Sequence, residues 1–181
     1  FAFVFFFTRI PRLHNDIVST DAVYWHDRSE KFLNALESGN FEETYQQYHP
    51  GVILMWTTAL TAKGYSVFSG LNTAEVFANF ETIHFYAKLT LVFLQFLLSV
   101  LIMLQLSKIF NEKLAFFMVT LFSIEPFFVG NSRLLHLDAQ ISLYILLAFT
   151  LNYFVVKDFS VKKTILISFI FTLPPLSKTL F

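Results

Sequence analysis

The sequence predicts an all-α protein, a multi-pass transmembrane helical bundle, and three observations support this fold class. Apolar residues make up 55% of the 181 residues and charged residues 14%, with a mean hydropathy of +0.58, so the polar residues are too few to cover one soluble core. Leu89–Ser107 and Ala139–Val156 are uncharged runs of 19 and 18 residues, close to the ~20 that a spanning helix needs. Lysines gather in the short connections between apolar runs, as is typical of membrane proteins.

Composition also excludes several classes of protein. The chain has no cysteine, which excludes a disulfide-stabilised secreted module and a zinc–thiolate site. Its 13 basic and 13 acidic side chains balance and no basic run appears, so no nucleic-acid partner is expected. Glycine-rich phosphate loops, His-Glu-x-x-His zinc helices and Gly-x-Ser-x-Gly elbows are missing from the sequence.

The apolar runs divide the chain into segments of one transmembrane domain. We expect one long loop at residues 8–85 and five apolar segments: 1–7 as the end of a first span, then spans at 86–107, 114–132, 139–156 and 164–177. Both ends of the chain look truncated, so residues 1–181 are expected to be the N-terminal part of the domain. Glu125 lies inside its span and needs a polar partner, a water-filled pocket or a proton there.

The lysines predict how these segments are oriented. The short connections at 107–113 and 157–163 carry lysines and should be cytoplasmic, because Lys and Arg favour that side. The long loop, the turn at 131–138 and the chain after Lys178 then lie on the outer face. The long loop has nine acidic and five basic side chains, which suits that face. The sequence therefore predicts an integral membrane protein with a polar outer surface.

The long loop is expected to contain amphipathic helices. Ser19 and Asp21 offer N-cap chemistry and apolar residues follow at helical spacing, so a helix is predicted over Asp21–Ser38. Pro50–Ala62 is uncharged but too short to span, which favours an interfacial helix. Four aromatic side chains of the kind that prefer the headgroup level are spread through the loop: Trp25, Tyr45, Tyr48 and Trp56.

The predicted topology brings one group of polar residues to the outer face: Asp21, His49, Arg133, His136, Asp138 and Lys178. Four of them also have a structural interpretation. Asp21 and Asp138 suit helix N-caps, Arg133 a snorkelling anchor, and His49 a corner before Pro-Gly. Together, two carboxylates surrounded by cations suit a site that deprotonates a hydroxyl or amine while it holds a phosphate leaving group.

Two blocks of residues resemble a known family of enzymes. The first is Trp25-x-x-Arg28-x-x-x-Phe32-x-x-Ala35-Leu36-x-x-Gly39-x-Phe41, followed by Thr44-Tyr45, His49-Pro50-Gly51-Val52 and Met55-Trp56. The second is Glu125-Pro126-Phe127 with Ser132-Arg133-Leu134-Leu135-His136-Leu137-Asp138, and a weaker third match is Leu176-Ser177-Lys178-Thr179. These blocks resemble the GT-C superfamily of membrane glycosyltransferases, nearest in pattern to protein O-mannosyltransferases, the aminoarabinose transferase of lipid A and the Rgt-like group of family 39.

The resemblance implies an enzyme of the bacterial inner membrane with its active site on the extracytoplasmic face. Such an enzyme takes a sugar from a polyprenyl-phosphate-linked donor and passes it, with inversion, to an acceptor lipid, glycan or protein. By this resemblance Asp21 matches the catalytic base and Asp138 the second acid of the site. The positions expected to contact the donor phosphate are Arg133, His136, His49 and Lys178.

The sequence also departs from the family pattern. The common Asp-Glu pair is Asp21-Ala22 here, and the His-Pro-Pro of many relatives is His49-Pro50-Gly51. A divalent metal ion is left open as a cofactor, with Asp21 and Asp138 as its expected ligands if one binds. A multi-pass transporter or a non-catalytic membrane subunit is the alternative; it predicts broken helices near the midplane and no need for Asp21.

Overall fold

The computed structural model describes residues 1–46, 51–157 and 159–177, and over these ranges the chain is helical with no strand. The all-α prediction is confirmed. The α-helices are α1 (Ala2–Arg9), α2 (Thr20–Ser38), α3 (Val52–Ser69), α4 (Thr73–Ala78), α5 (Phe80–Ile109), α6 (Glu112–Ile124), α7 (Pro126–Ser132), α8 (Asp138–Lys157) and α9 (Val161–Ser177). Short 3-10 helices lie at Leu13–Asn15 and Phe41–Thr44.

Within the described ranges, two helices are long and apolar enough to cross a membrane: α5, with 30 residues, and α8, with 20. They contain the predicted spans at 86–107 and 139–156. The predicted span at 114–132 is instead two helices, α6 and α7, bent by 67°, which add a third crossing only if they form one broken span. The prediction at 164–177 falls on α9, whose 17 residues are shorter than the ~20 of a full crossing.

The bend between α6 and α7 has a local cause. Pro126 lacks an N–H and its ring clashes with the carbonyl one turn back, so an α-helix cannot continue through it undistorted. The Glu125 carboxylate accepts hydrogen bonds from the N–H groups of Phe127 (3.0 Å) and Phe128 (2.6 Å) and so caps α7. Glu125 is also exposed. These two backbone N–H groups are the polar partners that the sequence analysis expected for a charged residue inside an apolar segment.

Arg9 fastens α1 to this bend. Its side chain is fully buried, and one guanidinium N–H donates to the Ser123 carbonyl at 2.9 Å, near the end of α6. The guanidinium carbon also lies 3.9 Å from the centre of the Phe5 ring and 5.3 Å from that of Phe128. Cation–π contacts and a hydrogen bond to a carbonyl freed by the helix end together compensate part of the cost of burying this charge.

The long loop folds onto the start of α5 through α2 and α3. Ser19 caps α2 by accepting from the Ala22 N–H, and Gly39 ends it with a left-handed φ of 72°. The helix predicted over Asp21–Ser38 is therefore confirmed, but Asp21 is not its cap, because it lies within the first turn. The apolar face of α2 packs against α3, α4 and α5 in one buried cluster that includes Trp25, Phe32, Leu33, Leu54, Met55, Val76 and Ile83.

The start of α3 is fixed by a close approach of backbone to Trp25. Gly51 precedes α3 with a φ of 45°, which side chains other than glycine rarely adopt. A Cβ at this position would overlap the six-membered ring of Trp25, on α2. Glycine at 51 therefore lets α2 and α3 meet, and it joins two parts of the first sequence block. From Val52 the helix extends to Ser69, seven residues beyond the predicted end at Ala62.

Candidate functional site

The polar residues singled out in the second sequence block lie at one end of the bundle. Arg133 ends α7, His136 lies in the turn that follows, and Asp138 is the first residue of α8. The start of α5 and the connection from α1 to α2 complete this end. Since α5 and α8 run the length of the bundle, the lysine-bearing connections that follow them lie at the opposite end. Which of the two ends faces outward stays a prediction.

Arg133 forms the most extensive polar contact of this end. Its Nε and one terminal nitrogen donate to the two carboxylate oxygens of Asp16 at 3.0 and 2.7 Å. The remaining three N–H groups donate over 3.0 to 3.3 Å to the main-chain carbonyls of Thr8 and Arg9, at the end of α1, and of Pro11, in the α1–α2 connection. Because a guanidinium has five N–H groups, every donor of Arg133 is in use.

His136 lies between the two predicted catalytic acids. Its Nε2 is 3.4 Å from a carboxylate oxygen of Asp21, and its Nδ1 is 3.4 Å from one of Asp138. One imidazole ring therefore bridges the two carboxylates. About 58% of the Asp21 side chain is exposed, so its carboxylate is accessible to a second molecule.

Asp16 is a residue of this end that sequence reasoning missed. It was counted only as one of the acids of the long loop, with no role of its own. A signal was present: an arginine at a membrane boundary needs a counter-charge, and Asp16 is the first acid after α1. The two residues are 117 positions apart, so no local spacing links them.

A buried pair of histidines lies beneath the same end and was also missed. His26 Nε2, on α2, is 3.1 Å from His84 Nδ1, on α5, so one ring donates to the other. Both side chains are buried, and burial together with the neighbouring His84 lowers the pKa of His26 to about 4. Lys88, one turn further along α5, donates to the Leu13 carbonyl and lies within electrostatic range of Asp16.

Two predicted site residues, His49 and Lys178, lie outside the described residues. For the rest of the chain, no group of three or more His, Cys, Asp or Glu side chains has a geometry that could hold a metal ion. Asp21 and Asp138 meet opposite edges of the His136 ring rather than one point, which is not how two carboxylates share an ion.

The arrangement can perform acid–base chemistry. An accessible carboxylate backed by an imidazole, itself next to a second carboxylate, suits removal of a proton from a bound hydroxyl or amine. The adjoining helices offer apolar surface to a lipid, with large exposed side chains such as Phe93 and Leu97 on α5. Comparison of the chain with protein-family models, curated proteins and solved structures gives no match.

Proposed function

We propose that this protein is a membrane glycosyltransferase that moves a sugar from a polyprenyl-phosphate-linked donor to an acceptor at the extracytoplasmic face, with Asp21 as the general base. The observation that carries the proposal is the contact of the accessible Asp21 carboxylate with His136, beside Asp138. Inverting transfer needs one base next to the acceptor, and an exposed carboxylate in a polar cluster can serve as that base. Retention by double displacement would need a nucleophile on the other side of the sugar.

A lipid-linked donor fits the surroundings of the cluster. Apolar helices α5 and α8 begin at or close to the polar end, so a polyprenyl chain could remain among lipids while its phosphate and sugar reach the charged residues. This combination of a water-accessible base and an adjacent apolar surface favours a substrate that is itself amphipathic. The acceptor would approach Asp21 from the open side.

Fewer side chains are free to bind the donor phosphate than the resemblance implies. Arg133 can reach a phosphate only by releasing Asp16 or a main-chain carbonyl, because its five N–H groups are engaged. Its contacts support a positioning role, in which it holds the α1–α2 connection over the site. His49 and Lys178 stay predicted phosphate contacts that lie outside the described residues.

The test is donor consumption by the full-length protein in membranes, supplied with a panel of polyprenyl-phosphate sugars. Asp21→Asn should reduce turnover by roughly 10²- to 10⁴-fold, since the amide cannot take up the acceptor proton. The Asp21 side chain is exposed, so this isosteric change should not disturb folding, and the expression level in the membrane checks that. Asp27→Asn, on the same helix and paired with Lys31 away from the cluster, is the matched control and should keep full activity. Equal consumption by wild type and Asp21→Asn would remove Asp21 from the mechanism.

One observation favours the alternative function of a transporter. The bend of 67° between α6 and α7 is a broken helix of the kind that frames substrate sites in transporters. A transporter would carry the lipid-linked sugar into or out of vesicles chemically intact, and Asp21→Asn would leave that movement unchanged. Recovery of chemically intact donor on the other side of the vesicle membrane would therefore favour transport over glycosyl transfer.

A further inference from the structure

We propose that His136, positioned by Asp138, receives from Asp21 the proton that the acceptor loses, so that Asp21, His136 and Asp138 act as one proton relay. This inference rests on the proposed function and assigns His136 and Asp138 roles different from phosphate binding and metal binding. In it Asp138 is a positioning residue for the imidazole, whereas Asp21 alone meets the acceptor.

The first support is that both ring nitrogens of His136 face acids. Nε2 lies 3.4 Å from Asp21 and Nδ1 lies 3.4 Å from Asp138, the only charged partners found for the ring among the described residues. Contacts of this length are common in catalytic sites without substrate and shorten when the substrate binds. A donor phosphate would have to displace a carboxylate to reach an imidazole N–H, so the geometry favours a relay over a phosphate contact.

The second support is that the backbone fixes the ring between these acids. Leu135 and Leu137 are 1% and 4% exposed and lie in the apolar cluster with α2 and α3. His136, between them, has a side chain that is 25% exposed on the polar side. Its backbone N–H donates to the Leu134 carbonyl at 2.9 Å, which tightens the turn. The imidazole is therefore pre-positioned by burial of its neighbours.

The third support is that Nδ1 has a partner in either protonation state. As a lone-pair acceptor it faces the backbone N–H of Asp138 at 3.4 Å, and as a donor it faces the Asp138 carboxylate at 3.4 Å. Donation from Nδ1–H to Asp138 leaves the Nε2 lone pair directed at Asp21. In that tautomer the ring can accept a proton from Asp21 and become an imidazolium between two carboxylates.

The proton and electron pairs balance in the following way. The acceptor oxygen forms a bond to the anomeric carbon as the bond from that carbon to the donor phosphate breaks, and the leaving oxygen keeps the electron pair. The hydroxyl proton passes to the Asp21 carboxylate and from there to His136 Nε2. The products are the glycosylated acceptor, polyprenyl phosphate and an imidazolium that later loses its proton to water. Asp21 is then an ionised base again before the next turnover.

Kinetics of variants distinguish the relay from phosphate binding. His136→Asn should lower kcat by roughly 10- to 100-fold with the donor KM unchanged, and it should remove one limb of the pH profile of kcat. The double variant with Asp21→Asn should be no slower than Asp21→Asn, because the two residues act as a unit. His14→Asn, which changes an exposed histidine outside the cluster, should match wild type. A raised donor KM with multiplicative effects would overturn the relay in favour of phosphate binding.

A second measurement does not depend on turnover. In the full-length protein labelled with ¹⁵N-histidine and held in lipid nanodiscs, the ring ¹⁵N resonances of His136 should move in both Asp21→Asn and Asp138→Asn, because each variant removes the carboxylate that faces one ring nitrogen, and Asp27→Asn should leave them unchanged. Ring resonances that neither aspartate variant moves would overturn the relay, even if wild type consumes donor. Moved resonances in a protein that consumes no donor would overturn the proposed function while the Asp–His–Asp contact stands.

Discussion

Arg133 acts through geometry as much as through charge. Its guanidinium pairs with both oxygens of Asp16, and the other N–H groups donate to two carbonyls at the end of α1 and one in the α1–α2 connection. Lysine keeps the charge but has three donors on a single nitrogen, so it cannot reproduce this pattern. We expect Arg133→Lys to lower the free energy of unfolding by on the order of 1–3 kcal/mol, because charge-assisted hydrogen bonds of a partly buried pair are lost. Thermal unfolding in detergent measures it.

A mutant cycle checks the origin of that loss. Asp16→Asn should cost a similar amount, and the double variant little more, because both changes remove the same pair. Asp27→Asn breaks the exposed pair with Lys31 and should change stability by less than ~1 kcal/mol. Additive losses from Arg133→Lys and Asp16→Asn would mean that the pair is not what stabilises this end.

At the residue scale the sequence shows which side chains carry chemistry but not which of them meet. Asp21, His136 and Asp138 were all predicted as site residues, because acids and a histidine at a membrane boundary are unusual. The pairing of Arg133 with Asp16 could not be predicted, since 117 residues separate them and several acids of the long loop were equally eligible. The close approach of Gly51 to the Trp25 ring could not be predicted either, because no local spacing links these two residues.

At the scale of elements, the histidine pair makes the docking of α2 sensitive to pH. The pKa of His26 is lowered from 6.5 to about 4, so the folded state binds this proton less readily than the unfolded state. Stability is full above pH 6.5, falls as the pH drops from 6.5 towards 4, and loses on the order of 3 kcal/mol in total. The protection factors of the α2 amides, which correct for the pH dependence of intrinsic exchange, should therefore fall as the pH drops across this interval.

Variants can test whether the pH dependence of α2 docking comes from the His26–His84 pair. The groups near it are the Phe80 ring, which lies against both histidines, and Lys88 and Asp16, which act on His84. His26→Gln keeps a hydrogen-bonding side chain that does not titrate, so it should flatten the pH dependence of the protection factors in α2. His14→Gln, an exposed control, should leave the wild-type profile in place. Equal protection factors of wild-type α2 at pH 7 and pH 5 would contradict the prediction.

Helix boundaries could be predicted where a capping side chain or a glycine marks the end of the helix. They could not be predicted where hydropathy was the only evidence. The limits of α2 follow from Ser19 and Gly39, and the observed helix agrees with the predicted one within a residue. The segment at 114–132 is apolar enough to suggest one span, yet Glu125 and Pro126 form a cap and a helix start within it. A mean hydropathy over 19 residues does not register Glu125 and Pro126, whereas the hydrogen bonds by which Glu125 caps α7 determine where the helix bends.

At the scale of the whole molecule, the prediction concerns which end faces which side of the membrane. The chain contains no cysteine, so a single introduced cysteine can be labelled without background. Asp27→Cys, on the exposed face of α2, should react with an impermeant maleimide added outside intact cells. Lys113→Cys, at the lysine-bearing end, should react only after the membrane is permeabilised, because that end is predicted to be cytoplasmic. Both positions reacting from the same side would contradict the topology.

The contact between Arg133 and Asp16 also bears on how the protein is made. At a synthesis rate of roughly 5–20 residues per second, the 117 positions from Asp16 to Arg133 take on the order of ten seconds to synthesise. During that interval Asp16 and the carbonyls of the α1–α2 connection have left the ribosome without their partner, while α5 and α6 are being inserted. This end of the bundle can lock only when α7 has brought Arg133 to Asp16. A nascent chain arrested before α7 should therefore be a target for membrane quality control, and one arrested beyond it should escape.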